Sequence, residues 1–247
     1  MDYKDYKKLN AAENSNFWYE ARKILIFDLL NSIYQQEPSS KNMLDIGCGT
    51  GTELEILKKF GNITGLDSNT DALEIMRQAG YDALDGDIEK INLQNDFYDC
   101  VCCFDVLEHI PNDKLAIKKI SSSLKKNGYF IFTVPAFQFL FSPHDKAMGH
   151  FRRYSKKKIK KILQNEGFEI VTINYWNSLL FPAVLLFRLL KRIIYKLKQE
   201  NTYTTDLENF NSLVDRILFA ILNVENFLCR HGIKFPFGLT IYGIAKK

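Results

Sequence analysis

The sequence lacks the features of proteins that cross a membrane or depend on disulfides. Its longest apolar run, residues 179–187, has nine residues, whereas a helix needs about 20 to span a bilayer. The chain is polar and charged through Asn16, so we expect no secretory signal peptide. Five cysteines are an odd number, and three of them lie in one apolar run, residues 98–104. These features predict a cytoplasmic protein with reduced, buried cysteines.

Repeats and metal-ligand patterns are also missing. The sequence has no internal repeat or low-complexity tract, and its 247 residues suffice for one domain with a sizeable core. Cys102 and Cys103 should point to opposite faces of one strand, so they cannot bind one metal ion together. We therefore predict no metal site.

Acidic residues are scarce in one part of the chain. Residues 146–198 contain 13 Lys and Arg but only two acidic residues, although the net charge of the whole chain is +4. Such a basic segment suits nucleic acid, an anionic membrane surface or a phosphorylated substrate. Charge alone does not choose among these partners.

Apolar patterns typical of strands and helices alternate along the chain, which predicts an α/β fold with a mostly parallel sheet. Strands are expected near residues 43–46, 62–67, 82–85, 98–104, 128–134 and 168–175, with a last strand at 239–245. Helices are expected near residues 17–36, 52–60, 70–79, 112–126 and 155–166, with two further helical segments at 178–198 and 206–230.

The first predicted strand ends in three alternate glycines, Gly47, Gly49 and Gly51. Glycine adopts positive φ and lets a ligand approach bare backbone, and the helix N-terminus that follows attracts anions. The spacing departs from the nicotinamide fingerprint, because the third glycine comes one place early and Thr52 stands where glycine is expected. Asp67 ends the next apolar run, where an acid that binds a ribose is expected.

Four motifs, in order, relate the chain to a known family. They are Leu-Asp-Ile-Gly-Cys-Gly-Thr-Gly at 44–51, Asp67, Gly-Asp-Ile at 86–88 and Leu-Glu-His-Ile-Pro at 107–111. With this spacing the chain resembles the class I S-adenosylmethionine (SAM)-dependent methyltransferases, in particular the ubiquinone-biosynthesis-like (type 11–12) branch. The resemblance covers about residues 13–175 and the final strand. It implies a Rossmann-like sheet with an antiparallel last strand, and SAM as the cofactor.

The resemblance places the SAM site at the ends of the first four strands. The cofactor-binding residues it implies are Trp18, Arg22, Asp45, Gly47, Cys48, Gly49, Asp67, Ser68, Asp87, Ile88, Phe104 and His109. Asp45 is expected to receive the amino group of SAM, and Asp67 and Asp87 to accept hydrogen bonds from its ribose and adenine. Structural interpretations stay open for Trp18 as a core residue, Arg22 as a surface residue and His109 as a helix cap.

The acceptor of the methyl group is expected to lie under residues 134–155, which follow the fifth strand. Similar segments occur in family members near polysaccharide and lipid-linked glycan pathways. The expected substrate-binding residues are Arg152, Arg153 and Tyr154, and the candidate general bases are His150 and His144. Paired arginines suit phosphate or carboxylate groups, and imidazole exchanges protons near neutral pH. The alternative is structural, with the arginines closing a loop and Ser155 capping the next helix.

We predict a SAM-dependent methyltransferase (EC 2.1.1.-) acting on a saccharide or on an isoprenoid- or lipid-linked phosphorylated small molecule. Two alternatives are a soluble methyltransferase for a quinone-like compound or metabolite, and a non-catalytic SAM-binding protein. Methylation of nucleic acid is disfavoured, because no Asn-Pro-Pro-Tyr-like signature or RNA-binding appendage is present.

The predicted layout is one domain, 1–247, with a helical cap at 1–40, a core at 41–176, a helical insertion at 177–236 and a last strand at 237–247. Family members usually join the last two strands by a short hairpin, so the insertion is a departure. Basic residues recur on one face of segment 178–198, at Arg188, Arg192 and Lys196. This pattern is typical of a helix lying on the inner face of an anionic membrane. The alternative is a helix that packs on the second inserted helix or on a second subunit, and the oligomeric state stays open.

Overall fold

The computed structural model describes residues 16–35, 40–188 and 212–247. Its strands are β1 (Asn42–Ile46), β2 (Asn62–Asp67), β3 (Asp82–Asp85), β4 (Tyr98–Phe104), β5 (Leu124–Pro135), β6 (Glu169–Trp176) and β7 (Thr240–Lys246). Its helices include α1 (Phe17–Tyr34), α2 (Leu54–Leu57), α3 (Thr70–Gln78), α4 (Asp113–Ser123), α5 (Pro143–Ala147), α6 (Lys156–Asn165) and α7 (Ser212–Arg230). Residues 181–188 are also helical, and Leu107–His109 forms a 3₁₀ turn.

The strands form one seven-stranded sheet in the order β3-β2-β1-β4-β5-β7-β6. Strands β1 to β5 pair in parallel, whereas β7 is antiparallel to both β5 and β6. This confirms the predicted α/β fold with an antiparallel last strand. The carboxyl ends of the parallel strands meet at one edge of the sheet, which is where ligands bind in such folds.

The elements differ from the prediction mainly at their ends. Helix α2 is shorter than the predicted 52–60, because residues 50–53 belong to the turn that closes the glycine loop, with the Gly51 N–H donating to the Cys48 carbonyl at 2.9 Å. Strand β5 begins at Leu124, ahead of the predicted 128, because Leu124 already pairs with Tyr98 before a register shift.

Apolar side chains cover both faces of the sheet. Cys103 of β4 packs in one cluster with Phe130 and Phe132, and Cys102 packs in the other with Leu25 of α1. The predicted opposite orientation of the two thiols is therefore confirmed. All five cysteines are free.

Helix α7, the second inserted segment, packs against the N-terminal helix α1. The buried Asn226 donates to the Ala21 carbonyl at 2.8 Å and accepts from the Trp176 indole N–H at 2.8 Å, so it joins α7 to α1 and β6. Most of the predicted helix 178–198, with Arg192 and Lys196, lies outside the described residues. Within the described ranges, no helix is long and apolar enough to cross a membrane.

Candidate active site

The glycine loop after β1 exposes its backbone. Gly47, Gly49 and Gly51 have φ values of +70°, +51° and +85°, which favour glycine. A Cβ at Gly47 would lie 2.3 Å from a methyl carbon of Val106, whereas a Cβ at Gly49 would meet no described atom within 4 Å. Gly47 thus permits close packing against the chain after β4, and Gly49 borders open space that a ligand can fill.

Asp67, the last residue of β2, ties this loop to the neighbouring strand. Its Oδ2 accepts a hydrogen bond from the Gly49 backbone N–H at 2.9 Å, and its Oδ1 accepts one from the Asn69 N–H at 2.9 Å. These bonds fix the carboxylate at the sheet edge. Each oxygen keeps a second lone pair, so both can also accept from a ribose hydroxyl.

Arg22 of α1 joins acidic residues from two other segments. It forms ion pairs with Glu53, and with Asp105 at 2.8 Å, and its guanidinium carbon lies 4.7 Å from the ring centroid of Trp18. Burial lowers the pKa of Arg22, but the two carboxylates outweigh it and raise that pKa overall. Burial and then the charge of Glu53 raise the pKa of the buried Asp45 well above its usual range. This acidic cluster suits a cationic amino group better than an anion.

The other predicted cofactor residues lie around the same strand ends. Asp87 follows β3, and its Oδ1 accepts a backbone N–H two residues further on at 2.9 Å, while Ile88 is buried in the core. Ser68 is exposed after β2, Phe104 is the buried last residue of β4, and Cys48 is buried inside the glycine loop. Their contacts with SAM stay predictions.

Two histidines meet where the acceptor is predicted to lie. The rings of His109 and His150 lie edge to face with centroids 4.5 Å apart, and His150 Nδ1 lies 3.1 Å from Asp145 Oδ1. The Phe151 N–H donates to the Glu108 carbonyl at 2.8 Å, which holds the two segments together. Burial, assisted by His150, lowers the pKa of His109 to about 4, and burial raises the pKa of Glu108 well above its usual range.

The predicted substrate-binding residues serve mainly to hold this segment in place. Arg153 is buried, with Nε and Nη2 at 2.8 and 2.7 Å from Asp145 Oδ1. Tyr154 has no exposed surface, and its hydroxyl donates to Asp113 at 2.8 Å. Direct substrate contact by Tyr154 and Arg153 is thus a wrong prediction, because one is sealed in the core and the other is occupied by a carboxylate. Arg152 pairs with Asp113 at 3.1 Å but keeps a partly exposed guanidinium, so its role stays a prediction.

Two capping alternatives are resolved by the same contacts. The Ser155 hydroxyl accepts from the Lys158 N–H at 3.2 Å and caps α6, as the structural interpretation expected. Helix α4 is capped by Asn112, so His109 is not its cap. His144 lies half-buried on α5, next to Asp145, and its catalytic role stays a prediction.

Sequence reasoning missed Glu53, Asp105, Glu108 and Asp145, all of which contact or adjoin predicted site residues. Glu108 and Asp145 each stand beside a selected histidine in the sequence, and that adjacency was an available signal. For Asp105 the signal is conformational, because it is a non-glycine residue with φ of +55° directly after β4.

Aromatic side chains cluster where β5 and β6 end. Phe137 lies 5.3 Å from Phe139, 5.1 Å from Tyr175 and 5.8 Å from Phe181, measured between ring centroids, and Phe181 lies 5.1 Å from Phe237. Phe139 is 61% exposed and Phe237 is 41% exposed. An exposed aromatic surface of this kind suits an apolar molecule.

The sheet order, the open glycine loop and the acids that end successive strands define the class as that of the class I SAM-dependent methyltransferases. The chain belongs to the methyltransferase-domain family, whose sequence model matches residues 17–173. The predicted recognition is therefore confirmed.

Known relatives agree with this family. The ubiquinone biosynthesis O-methyltransferase of Shewanella pealeana is 33% identical over 104 residues, covering 38% of this chain and 43% of that protein. The malonyl-[acyl-carrier protein] O-methyltransferase of Calditerrivibrio nitroreducens is 32% identical over 133 residues, covering 54% of this chain and 47% of that protein. The chain thus spans less than half the length of these two relatives. A SAM-dependent methyltransferase from Archaeoglobus fulgidus shares the fold with a TM-score of 0.58 and 19% identity, covering 91% of this chain and 94% of that one.

Proposed function

We propose that the chain binds SAM across the ends of β1 and β2 and transfers its methyl group to a hydroxyl-bearing small molecule. The observation that carries this proposal is the Gly49–Asp67 hydrogen bond beside the open space at Gly49. It sets a carboxylate with free lone pairs next to bare loop backbone, which fits the ribose and amino-acid parts of one ligand.

Each part of SAM then has a candidate contact. The acidic cluster around Asp45 receives the amino group, the loop backbone receives the carboxylate, and Asp67 and Asp87 hold the ribose and the adenine. Arg22 is held by Glu53 and Asp105, so its part is to fix this cluster in place. Bound SAM supplies a methyl carbon activated by positively charged sulfur. The protein mainly has to align the acceptor with that carbon, and alignment alone contributes up to roughly 7–11 kcal/mol.

The acceptor end favours an oxygen nucleophile on a partly apolar molecule. Both curated relatives described above are O-methyltransferases, which supports a hydroxyl acceptor. The aromatic surface around Phe137 and Phe139 supports a quinone-like ring or an isoprenoid chain. A saccharide phosphate has less support, because Arg153 is occupied by Asp145. We place His150 at the acceptor hydroxyl, since Asp145 fixes its ring there.

A methyl-transfer assay tests this proposal directly. Labelled SAM is incubated with the full chain and with separate apolar and water-soluble extracts, beside matched Asp67→Ala and Asp82→Ala variants. We expect label in the apolar extract with the wild type and with Asp82→Ala, whose carboxylate lies exposed at the opposite end of β3. Label confined to the water-soluble extract would favour the soluble-metabolite alternative, and SAM binding without transfer to any extract would favour the non-catalytic one.

Membrane contact is a separate proposal carried by the basic inserted segment and the exposed Leu186 and Phe187. Flotation with anionic liposomes tests it, with Arg188, Arg192 and Lys196 all replaced by Glu as the control. We expect the wild type to float and the charge-reversed variant to stay behind, because each basic residue near anionic lipid contributes about 1 kcal/mol. Equal behaviour of the two proteins would count against the membrane and favour a wholly cytoplasmic protein. The single-domain layout of residues 1–247 stays part of the proposal.

A further inference from the structure

Glu108, His109 and His150 bring three potential metal ligands together. One ligand atom from each side chain lies within 4.8 Å of the others. Zinc–nitrogen bonds are about 2.0–2.1 Å long, so two ligands of one ion stand at most about 4.2 Å apart. Side-chain shifts of under about 1 Å would therefore complete the set.

Glu108 carries an atom in need of a partner. Its side chain is 1% exposed, and its Oε2 has no hydrogen-bond partner within the part of the chain that the structure describes. An unsatisfied buried polar atom costs roughly 1–3 kcal/mol, so its presence in a folded protein needs an explanation, and a bound ion supplies one. A cation suits this oxygen, because a bound ion would supply the partner that the buried carboxylate oxygen lacks.

His150 is oriented as metal-binding histidines commonly are. Its Nδ1 lies 3.1 Å from Asp145 Oδ1, so an N–H there donates to the carboxylate and leaves the Nε2 lone pair for an ion. Asp145 is fully buried and is held in turn by Arg153 and by the Ser142 hydroxyl at 2.9 Å. The ring orientation is therefore fixed by groups that an ion would not displace.

We propose that Glu108, His109 and His150 bind one divalent transition-metal ion. Two imidazoles and a carboxylate suit ions such as Zn²⁺ or Co²⁺, whereas Mg²⁺ prefers sites made of oxygen. The prediction of no metal site considered the cysteines alone, and this cluster revises it. Three protein ligands leave an open coordination position at the acceptor end of the site.

The use of that open position rests on the proposed function. An acceptor hydroxyl bound to the ion loses its proton to water, because a divalent cation stabilises the deprotonated oxygen. That oxygen forms the new bond to the methyl carbon while the carbon–sulfur bond breaks and its electron pair remains on sulfur. In this arrangement His150 binds the ion, and the ion rather than the imidazole contacts the acceptor hydroxyl.

Metal titration of the untagged full chain after EDTA treatment tests the site. Co²⁺ binding is followed by visible absorption, and Zn²⁺ and millimolar Mg²⁺ are added as competitors. We expect one ion per chain, displaced by Zn²⁺ and retained in Mg²⁺. The Glu108→Gln and His109→Ala variants should bind at least about tenfold more weakly, and Asp145→Asn roughly 10- to 100-fold more weakly. The matched control is His231→Ala, since His231 lies exposed beyond α7 and its Nδ1 contacts the Phe227 carbonyl at 2.7 Å.

Absence of Co²⁺ binding in the wild type, or equal binding by the cluster variants and the wild type, would overturn the proposal. If His109→Ala does not fold, Glu108→Gln decides, because it preserves the shape of the side chain. SAM-induced thermal stabilisation is measured on the same samples. A chain that responds to SAM and transfers methyl groups in EDTA without binding Co²⁺ refutes the ion site alone. A chain that binds Co²⁺ at the cluster but shows no thermal stabilisation by SAM refutes the proposed function alone.

Discussion

Replacing Asp67 by Ala should nearly abolish SAM binding. The carboxylate is fixed by the Gly49 and Asn69 N–H groups, so its remaining lone pairs can accept from two ribose hydroxyls. Hydrogen bonds to a charged group contribute about 1.5–3 kcal/mol each. Loss of two such bonds therefore weakens affinity by at least about 100-fold.

Thermal denaturation converts this loss into a measurable shift. At a SAM concentration 100 times the wild-type Kd, binding stabilises the folded chain by about 2.7 kcal/mol. For a domain of this size, that raises Tm by roughly 5–11 °C. A 100-fold weaker variant gains only about 0.4 kcal/mol, or roughly 1 °C. Asp82→Ala serves as the control and should keep the full shift. A full shift in Asp67→Ala would refute the reasoning.

Four further substitutions separate binding from stability. Gly47→Ala should destabilise the fold by about 1–3 kcal/mol in urea unfolding, because Gly47 has positive φ and the new Cβ would lie 2.3 Å from the partly buried Val106. Gly49→Ala has open space, so it should cost only about 1 kcal/mol of stability while weakening SAM binding in calorimetry. Tyr154→Phe should lose about 1–2 kcal/mol of stability with unchanged methyl transfer per folded molecule, since the Tyr154 side chain is fully buried and its hydroxyl bonds the buried Leu107 carbonyl and Asp113 carboxylate. Asn226→Ala should lose roughly 2–4 kcal/mol, because it leaves the buried Trp176 indole N–H without a partner and removes the bond to the Ala21 carbonyl of α1.

Each of these expectations has a contrary result. Equal stability of the two glycine variants would contradict the packing argument at Gly47. Reduced methyl transfer per folded molecule in Tyr154→Phe would show that Tyr154 acts on the substrate after all. An unchanged free energy of unfolding in Asn226→Ala would show that the polar contacts of Asn226 do not hold α7 in place.

The sheet was predictable from sequence because each strand carries its own local pattern. The apolar runs ending at Asp67, Asp85 and Phe104 match β2, β3 and β4, and the last predicted strand takes its antiparallel place beside β5. Helix α2 was overestimated, because the residues after the glycine loop are needed for its turn rather than for a helix.

The acceptor end was harder to predict, because its contacts join residues far apart in the chain. The sequence suggested that Arg153 binds a phosphate. In the structure Arg153 instead forms an ion pair with the buried carboxylate of Asp145, eight residues earlier in the chain. The adjacency of Glu108 and His109 was visible, yet only the fold brings His150 against them. Motif spacing identifies the residues that directly follow each predicted strand. Contacts between side chains of different loops depend on how those loops pack, which spacing does not show.

The most direct test of the account is a crystal structure of the chain grown with SAM. We expect the ribose hydroxyls within about 3 Å of Asp67 and the amino-acid end over the backbone of the glycine loop. SAM bound at another edge of the sheet would contradict the central claim. So would a crystal grown in saturating SAM that shows no SAM beside the glycine loop.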